Sequence, residues 1–163
     1  MDAQRLKGMA VVALDDSTRL GRIEDLLFDP KTLQAVALRV RGDGQIFVIP
    51  FQEIKAIGTD AVTVESARVT QVASQGGAFS TLPGLEAIKK LKVIDENGTL
   101  LGLVSNVEID EAAGRARTLS VHKGGLLGLG GQTTTLSAAA IRSVGPELIT
   151  VAAGAASTPE AQP

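Results

Sequence analysis

Apolar residues in this chain fall into short runs broken by turn residues, and several runs alternate with polar positions. Residues 9–14 form an apolar run that stops at Asp15-Asp16-Ser17, a cluster that favours turns. Residues 91–94 repeat this ahead of Glu96-Asn97-Gly98, where Asn-Gly is a strong hairpin signal. Two longer strands follow over residues 19–28 and 100–109, interrupted by Gly21 and Gly102. A glycine inside a strand marks a bulge or a sharp bend, as small barrels need at their corners. Asp29-Pro30-Lys31-Thr32 reads as a turn with Asp at its first position and Pro, whose φ is preset, at its second. Beyond it Val36, Leu38 and Val40 alternate with Ala37, Arg39 and Arg41, the pattern of a half-buried strand. Residues 46–49 give another strand ended by Pro50, residues 51–57 a short helical turn, and residues 61–65 a last strand.

The pattern occurs twice. When residues 14–40 are laid on residues 95–121, Thr18, Leu20, Gly21, Asp29, Ala35, Leu38 and Val40 meet Thr99, Leu101, Gly102, Asp110, Ala116, Leu119 and Val121. When residues 44–64 are laid on residues 131–151, Gly44, Gln45, Ile54, Gly58, Thr63 and Val64 meet Gly131, Gln132, Ile141, Gly145, Thr150 and Val151. The second copy carries extra residues around 124–131. Two copies make a pair of homologous domains, since a solenoid needs three or more repeats. Each copy holds five or six short strands, for which an antiparallel barrel is the natural solution because closure removes exposed edges. The reading is therefore all-β: two small antiparallel barrels in tandem with short helical turns. The first domain spans residues 1–66, a linker rich in Ser, Gly, Gln and Ala spans 67–84, the second domain spans 85–152, and 153–163 is a disordered tail. Residues 85–91 suggest a helical turn entering the second domain. Alternation assigns the core to Val12, Ile23, Leu26, Phe28, Val36, Leu38, Val40, Val48 and Ile54, and to Val93, Val104, Val107, Ile109, Leu119, Val121, Ile141 and Ile149. In the first turn Leu33 stands where Gly114 stands in the second. A positive φ there would strain Leu33, so the two turns are expected to differ in type.

Composition narrows the chemistry. Among 163 residues there is no Cys, Trp or Tyr, and a single His. Disulfides, thiolate nucleophiles and sulfur-ligated metals are thereby excluded. The net charge of −2 gives no generic grip on nucleic acid. Nothing approaches the roughly 18–20 apolar residues of a membrane span, and the mixed charge of residues 1–7 is unlike a signal peptide. The expected location is the cytoplasm.

Catalysis finds few candidates. A general base and its nucleophile must lie within hydrogen-bond reach, and His122 is the one imidazole, at a strand end beside Lys123. Acidic pairs at Asp15-Asp16, Glu24-Asp25 and Asp110-Glu111 fit turn chemistry better than catalysis, and no calcium loop is spelled out. The expectation is no catalytic residue, no metal site, no cofactor and no enzyme. The segment Gly125-Leu126-Leu127-Gly128-Leu129-Gly130 spaces glycines like a phosphate loop, but Gly131-Gln132 replaces the Lys and Ser/Thr such a loop uses. The β-branched run Thr133-Thr134-Thr135 then favours a strand over an anion-binding helix. Leu126, Leu127 and Leu129 either plug a barrel end, are buried in a dimer, or form an apolar tip that binds a partner. They are the candidate partner-binding residues. Direct RNA binding is disfavoured: single strands stack on aromatics, and of the four Phe residues, Phe28, Phe47 and Phe51 read as core, leaving Phe79.

The first copy resembles the PRC-barrel domain. The resemblance lies in Gly8-Met9-Ala10-Val11-Val12, in Leu20-Gly21-Arg22-Ile23-Glu24-Asp25-Leu26-Leu27-Phe28-Asp29-Pro30, and in Val48-Ile49-Pro50-Phe51 with Ile54. The second copy is similar through Leu101-Gly102-Leu103-Val104, Ile109-Asp110 and the glycine–leucine run 123–131. The family's barrel is shared by the cytoplasmic part of the photosynthetic reaction-centre H polypeptide and the C-terminal domain of a bacterial ribosome-maturation factor. Residues 1–7 lead straight into a strand-like run, so neither a membrane helix nor another domain is expected ahead of the barrel, and Leu136-Ser137-Ala138 replaces Ile49-Pro50-Phe51 in the second copy. The resemblance thus implies a small-barrel fold and a non-catalytic protein-binding or scaffolding role. The alternatives it leaves are a ribosome-assembly or RNA-associated accessory factor, and a peripheral component of a photosynthetic or electron-transport membrane complex. The partner is a protein, with a homodimer and peripheral membrane association left open.

Overall fold

Among the described residues, the runs expected to be strands form strands. The structure, a computed structural model, describes residues 1–72, 77, 79–124 and 130–155. In the first copy these are β1 (Ala10–Ala13), β2 (Thr18–Phe28), β3 (Ala35–Gly42), β4 (Gln45–Pro50), β5 (Ile54–Ile57) and β6 (Ala61–Val64), with a short β7 (Gln71–Val72) in the joining segment. A single helical turn, α1 (Leu85–Ile88), opens the second copy, followed by β8 (Lys92–Asp95), β9 (Leu100–Ile109), β10 (Ala116–Gly124), β11 (Gly131–Ser137), β12 (Ile141–Val144) and β13 (Leu148–Val151). The turn after Pro50 is a 3-10 turn, Phe51–Glu53. Its counterpart is Ala138–Ala140, capped by the Ser137 side chain.

The chain is mostly β, two small barrel-like domains in tandem, one sheet to each copy. The orders are β5-β6-β1-β2-β3-β4-β7 and β11-β10-β9-β8-β13-β12. Neighbours are antiparallel except for one parallel pair in each, β1 with β6 and β8 with β13. Bulges bend the long strands, between Ile23 and Asp25 in β2 and between Val104 and Asn106 in β9. As expected, bulges fall beside Gly21 and Gly102, at Leu20 and Leu101; in addition, a Cβ at either glycine would run into the carbonyl oxygen of Arg41 or His122 on the neighbouring strand.

The two copies exchange their leading segments. A 3-10 turn at Ala3–Leu6 precedes β1, yet it touches β9 as well as β2. Ile109 N–H donates to the Met1 carbonyl at 2.8 Å, and Phe28 N–H donates to the Pro83 carbonyl at 2.9 Å. Asp2 bridges Glu108 while Gly84 bridges Leu27, the same relation in reverse. Asp25, buried in β2, accepts from Leu26 N–H at 2.8 Å and from Leu85 N–H at 3.0 Å, fastening α1 to the first copy. One apolar cluster therefore runs through both copies, from Leu6, Leu26 and Phe28 to Val107, Ile109 and Leu119.

The equivalent turns after β2 and β9 meet at this junction, and they are alike. Leu33 has φ 60° and Gly114 φ 75°. Leu33 N–H donates to Asp29 O at 2.9 Å and Gly114 N–H to Asp110 O at 3.0 Å; Asp29 N–H and Asp110 N–H close onto Gln34 O and Arg115 O. The expected difference in turn type is thus overturned. A left-handed non-glycine residue costs about 1–2 kcal/mol, and full burial of the Leu33 side chain, worth about 1.5–3 kcal/mol, offsets it. Gly114 has no such room: a Cβ there would sit 2.5 Å from Ala35 O and 3.2 Å from the Phe51 ring. Across the junction Ala35 N–H donates to Gly114 O at 2.8 Å and Gln34 Nε2 to Ala113 O at 2.9 Å.

Most of the expected core is buried, but Val12, Val36, Ile54 and Ile141 are only half-buried. In β1 the inward positions are Val11 and Ala13; a run that is apolar throughout does not reveal its phase. In β3 both Ala37 and Leu38 are buried, because Leu27, Ala37 and Val48 form a second cluster covered by Phe79 and Leu82 of the joining segment. The strand is covered on both faces there, so alternation stops being a guide.

Gly114→Ala should lower stability by more than about 2 kcal/mol, combining the φ cost with collision against backbone of the other copy. Gly98, at φ 82° with open space around it, provides the control: Gly98→Ala should cost only about 1–2 kcal/mol. Equal urea midpoints for the two variants would show that the junction is not tightly packed.

Candidate functional site

The residues singled out for chemistry serve turns and cross-strand side-chain bonds. His122 is exposed on β10 and shares a hydrogen bond of 3.1 Å between its Nδ1 and Thr133 Oγ1 on β11. Asp16 accepts from Thr18 N–H at 3.1 Å, and the Thr18 hydroxyl holds its carboxyl below the usual carboxylate range. Asp110 accepts from Ala113 N–H at 2.6 Å and Arg115 N–H at 3.1 Å, and the Ala113 bond does most to lower its pKa. Glu24 takes the Arg41 guanidinium, Nε to Oε2 3.0 Å. Among the described residues no three His, Asp or Glu side chains are grouped to hold a metal ion. Leu126, Leu127 and Leu129 lie outside the described residues; β10 and β11 pair up to Gly124 and Gly131 on either side of them.

The feature with a distinct shape is on the outer face of the second sheet. Strand register sets one lateral row across five strands: Leu148 opposite Lys92, Lys92 opposite Leu103, Leu103 opposite His122, and His122 opposite Thr133. All five side chains are exposed. Leu103 is 45% exposed, Leu100 43% and Leu148 36%, three large apolar side chains on one small face. Isolated exposed leucines are ordinary, whereas contiguous ones mark interaction surfaces. Leu100, Leu103 and Val104 line a hollow of about 560 Å³ bordered by Lys89, Lys92 and Lys123. A second hollow of about 530 Å³, on the other side of Lys92, is lined by Leu91, Pro146 and Leu148, with Lys90 and Glu147 at its rim.

The first copy shows what this face looks like when it is merely solvated. Its matching row is Ala61, Ala10, Arg22, Arg41 and Ile46. Arg22 Nη1 donates to the Gly8 carbonyl at 3.0 Å and Arg41 pairs with Glu24, so both cations are engaged within the copy. Leu103 replaces Arg22, Leu100 replaces Arg19 and Lys92 replaces Ala10. Among the described residues Lys92 has no ion-pair partner. Alternation and turn signals do not single out this face; comparing the two copies at the positions where they differ, Arg19 with Leu100 and Arg22 with Leu103, would have found it.

The family model of the PRC-barrel domain matches residues 1–71 and again residues 84–156. No curated protein matches the chain. Among the described residues no helix is long and apolar enough to cross a membrane.

The structural role assigned to Asp110 has a pH signature. Its folded pKa is depressed, so its contribution is complete above the unfolded value of about 3.9 and is lost as pH falls through the folded value. Asp110→Asn should be less stable than wild type by about 1 kcal/mol at pH 7, and the gap should shrink in acid. A gap in urea midpoints that stays constant down to pH 2 would contradict the assignment.

Proposed function

The chain belongs to the PRC-barrel domain family, in two copies, and from that premise we propose that it is a non-catalytic protein-binding or scaffolding module of the cytoplasm. PRC-barrel domains form a generic module that often takes part in protein interactions. The observation that carries the reading is the outer face of the second copy, where Leu100, Leu103 and Leu148 stay exposed. The matching face of the first copy instead carries arginines engaged within that copy. Exposed apolar side chains beside hollows cost solubility and contribute nothing to the core, so their use lies in association. Asp16, Asp25, Asp110 and the one histidine are committed to turns, caps and a cross-strand bond, which supports a role without catalysis. Leu126, Leu127 and Leu129 are proposed as a second partner contact on the same domain.

Affinity capture from source lysate tests this with three baits: wild type, Leu100→Arg/Leu103→Arg, and Leu126→Ser/Leu127→Ser/Leu129→Ser. The expected result is a partner that survives RNase treatment and is retained at least tenfold less by the Arg variant or by the Ser variant. Identical captured sets from all three baits, or capture abolished by RNase, would remove the reading.

A further inference from the structure

The face described above has a spacing as well as a composition. Leu103 and Leu148 lie on strands either side of β8, each directly opposite Lys92. Neighbouring strands are about 4.8 Å apart, so Leu103 and Leu148, each in the wall of one hollow, lie about 10 Å apart across Lys92. A helix rises about 1.5 Å per residue, so side chains seven apart on one face are separated by about 10.5 Å, with those at the third and fourth positions between them. An extended strand puts same-face side chains about 6.8 or 13.6 Å apart, which matches neither the leucine separation nor the lysine between. A single-chain amphiphile carries its charge at one end, not between two apolar parts. A lipid surface needs apolar groups that protrude, whereas here they line hollows under a rim of Lys89, Lys92 and Lys123.

From this geometry, and resting on the protein-binding reading, we infer that the second barrel receives an acidic amphipathic helix of a partner protein. The helix carries large apolar residues seven positions apart with Asp or Glu between them. Its apolar residues enter the hollows beside Leu103 and Leu148, and its carboxylate meets Lys92, which has no ion-pair partner among the described residues. Glu147, which lines the second hollow, disfavours a further acid on that side and so orients the helix by charge.

The test is selection from a phage-displayed library of an alanine-rich helical peptide randomised along one face. Wild type is the bait and Leu103→Arg the counter-bait; the substitution installs the residue that the first copy carries at the matched position. A urea midpoint for the counter-bait within error of wild type confirms that it folds. Enriched peptides should show Leu, Ile or Phe seven apart with Asp or Glu between, and should bind the counter-bait at least tenfold more weakly. For one such fluorescein-labelled peptide, Lys92→Glu should weaken binding at least tenfold, and replacing the peptide's acid by Lys should restore it. Enrichment without the acid or the spacing, or equal binding to the counter-bait, overturns the inference. So does Leu103-dependent binding to phosphatidylglycerol-containing vesicles in the absence of peptide enrichment, or peptide binding that emerges only in the Leu126→Ser/Leu127→Ser/Leu129→Ser variant. If lysate capture still depends on Leu100 and Leu103 while the library fails, the binding module stands and only the helix is lost.

Discussion

Everything in this fold hangs on the exchange of leading segments. A copy of this length, with few aromatics, has little apolar surface to bury on its own. Here the segment before β1 closes against β9, and the segment before β8 closes against β2, with Ile109 N–H bonded to Met1 O and Phe28 N–H to Pro83 O. Leu6, Leu85 and Ile88 are buried by that exchange, each worth about 1.5–3 kcal/mol. Two marginal barrels thereby become one folding unit with a continuous core.

The turns at the junction show how near-symmetry is reconciled with packing. Two like left-handed turns meet at the junction, and only one of them has room for a side chain. One carries Leu33, buried completely; the other carries Gly114, without a Cβ to collide with Ala35 O. A strained backbone at Leu33 persists because the surrounding packing over-determines it.

Divergence of the outer faces follows from the same scaffold. Core positions of the two copies are constrained together, since they share one cluster, while the outward rows are free to change. In the first copy that row is occupied by arginines bonded to Gly8 O and Glu24. In the second, two exposed leucines, Leu148 and Leu103, flank Lys92, which has no ion-pair partner among the described residues. The difference is legible in the sequence once the copies are aligned, because it sits at Arg19/Leu100 and Arg22/Leu103. It is obscured because the glycine–leucine run at 124–131 is the louder apolar signal and because outward and inward leucines look alike in a strand.

Strand positions, the hairpin turns, the bulge glycines and the duplication were set by the sequence alone, since alternation, turn propensity and glycine placement act over a few residues. The inward phase of β1 and the double burial of Ala37 and Leu38 were decided by tertiary structure. An unbroken apolar run carries no phase, and the cover over Ala37 comes from Phe79 and Leu82 far along the chain. Equally, no local rule says that Leu33 should take φ 60°; its cost is met only by packing at the junction of the two copies. The lateral row of Leu148, Lys92, Leu103, His122 and Thr133 likewise exists only through strand register, because its members sit on five separate strands that the sheet's antiparallel pairings and its parallel pair bring side by side.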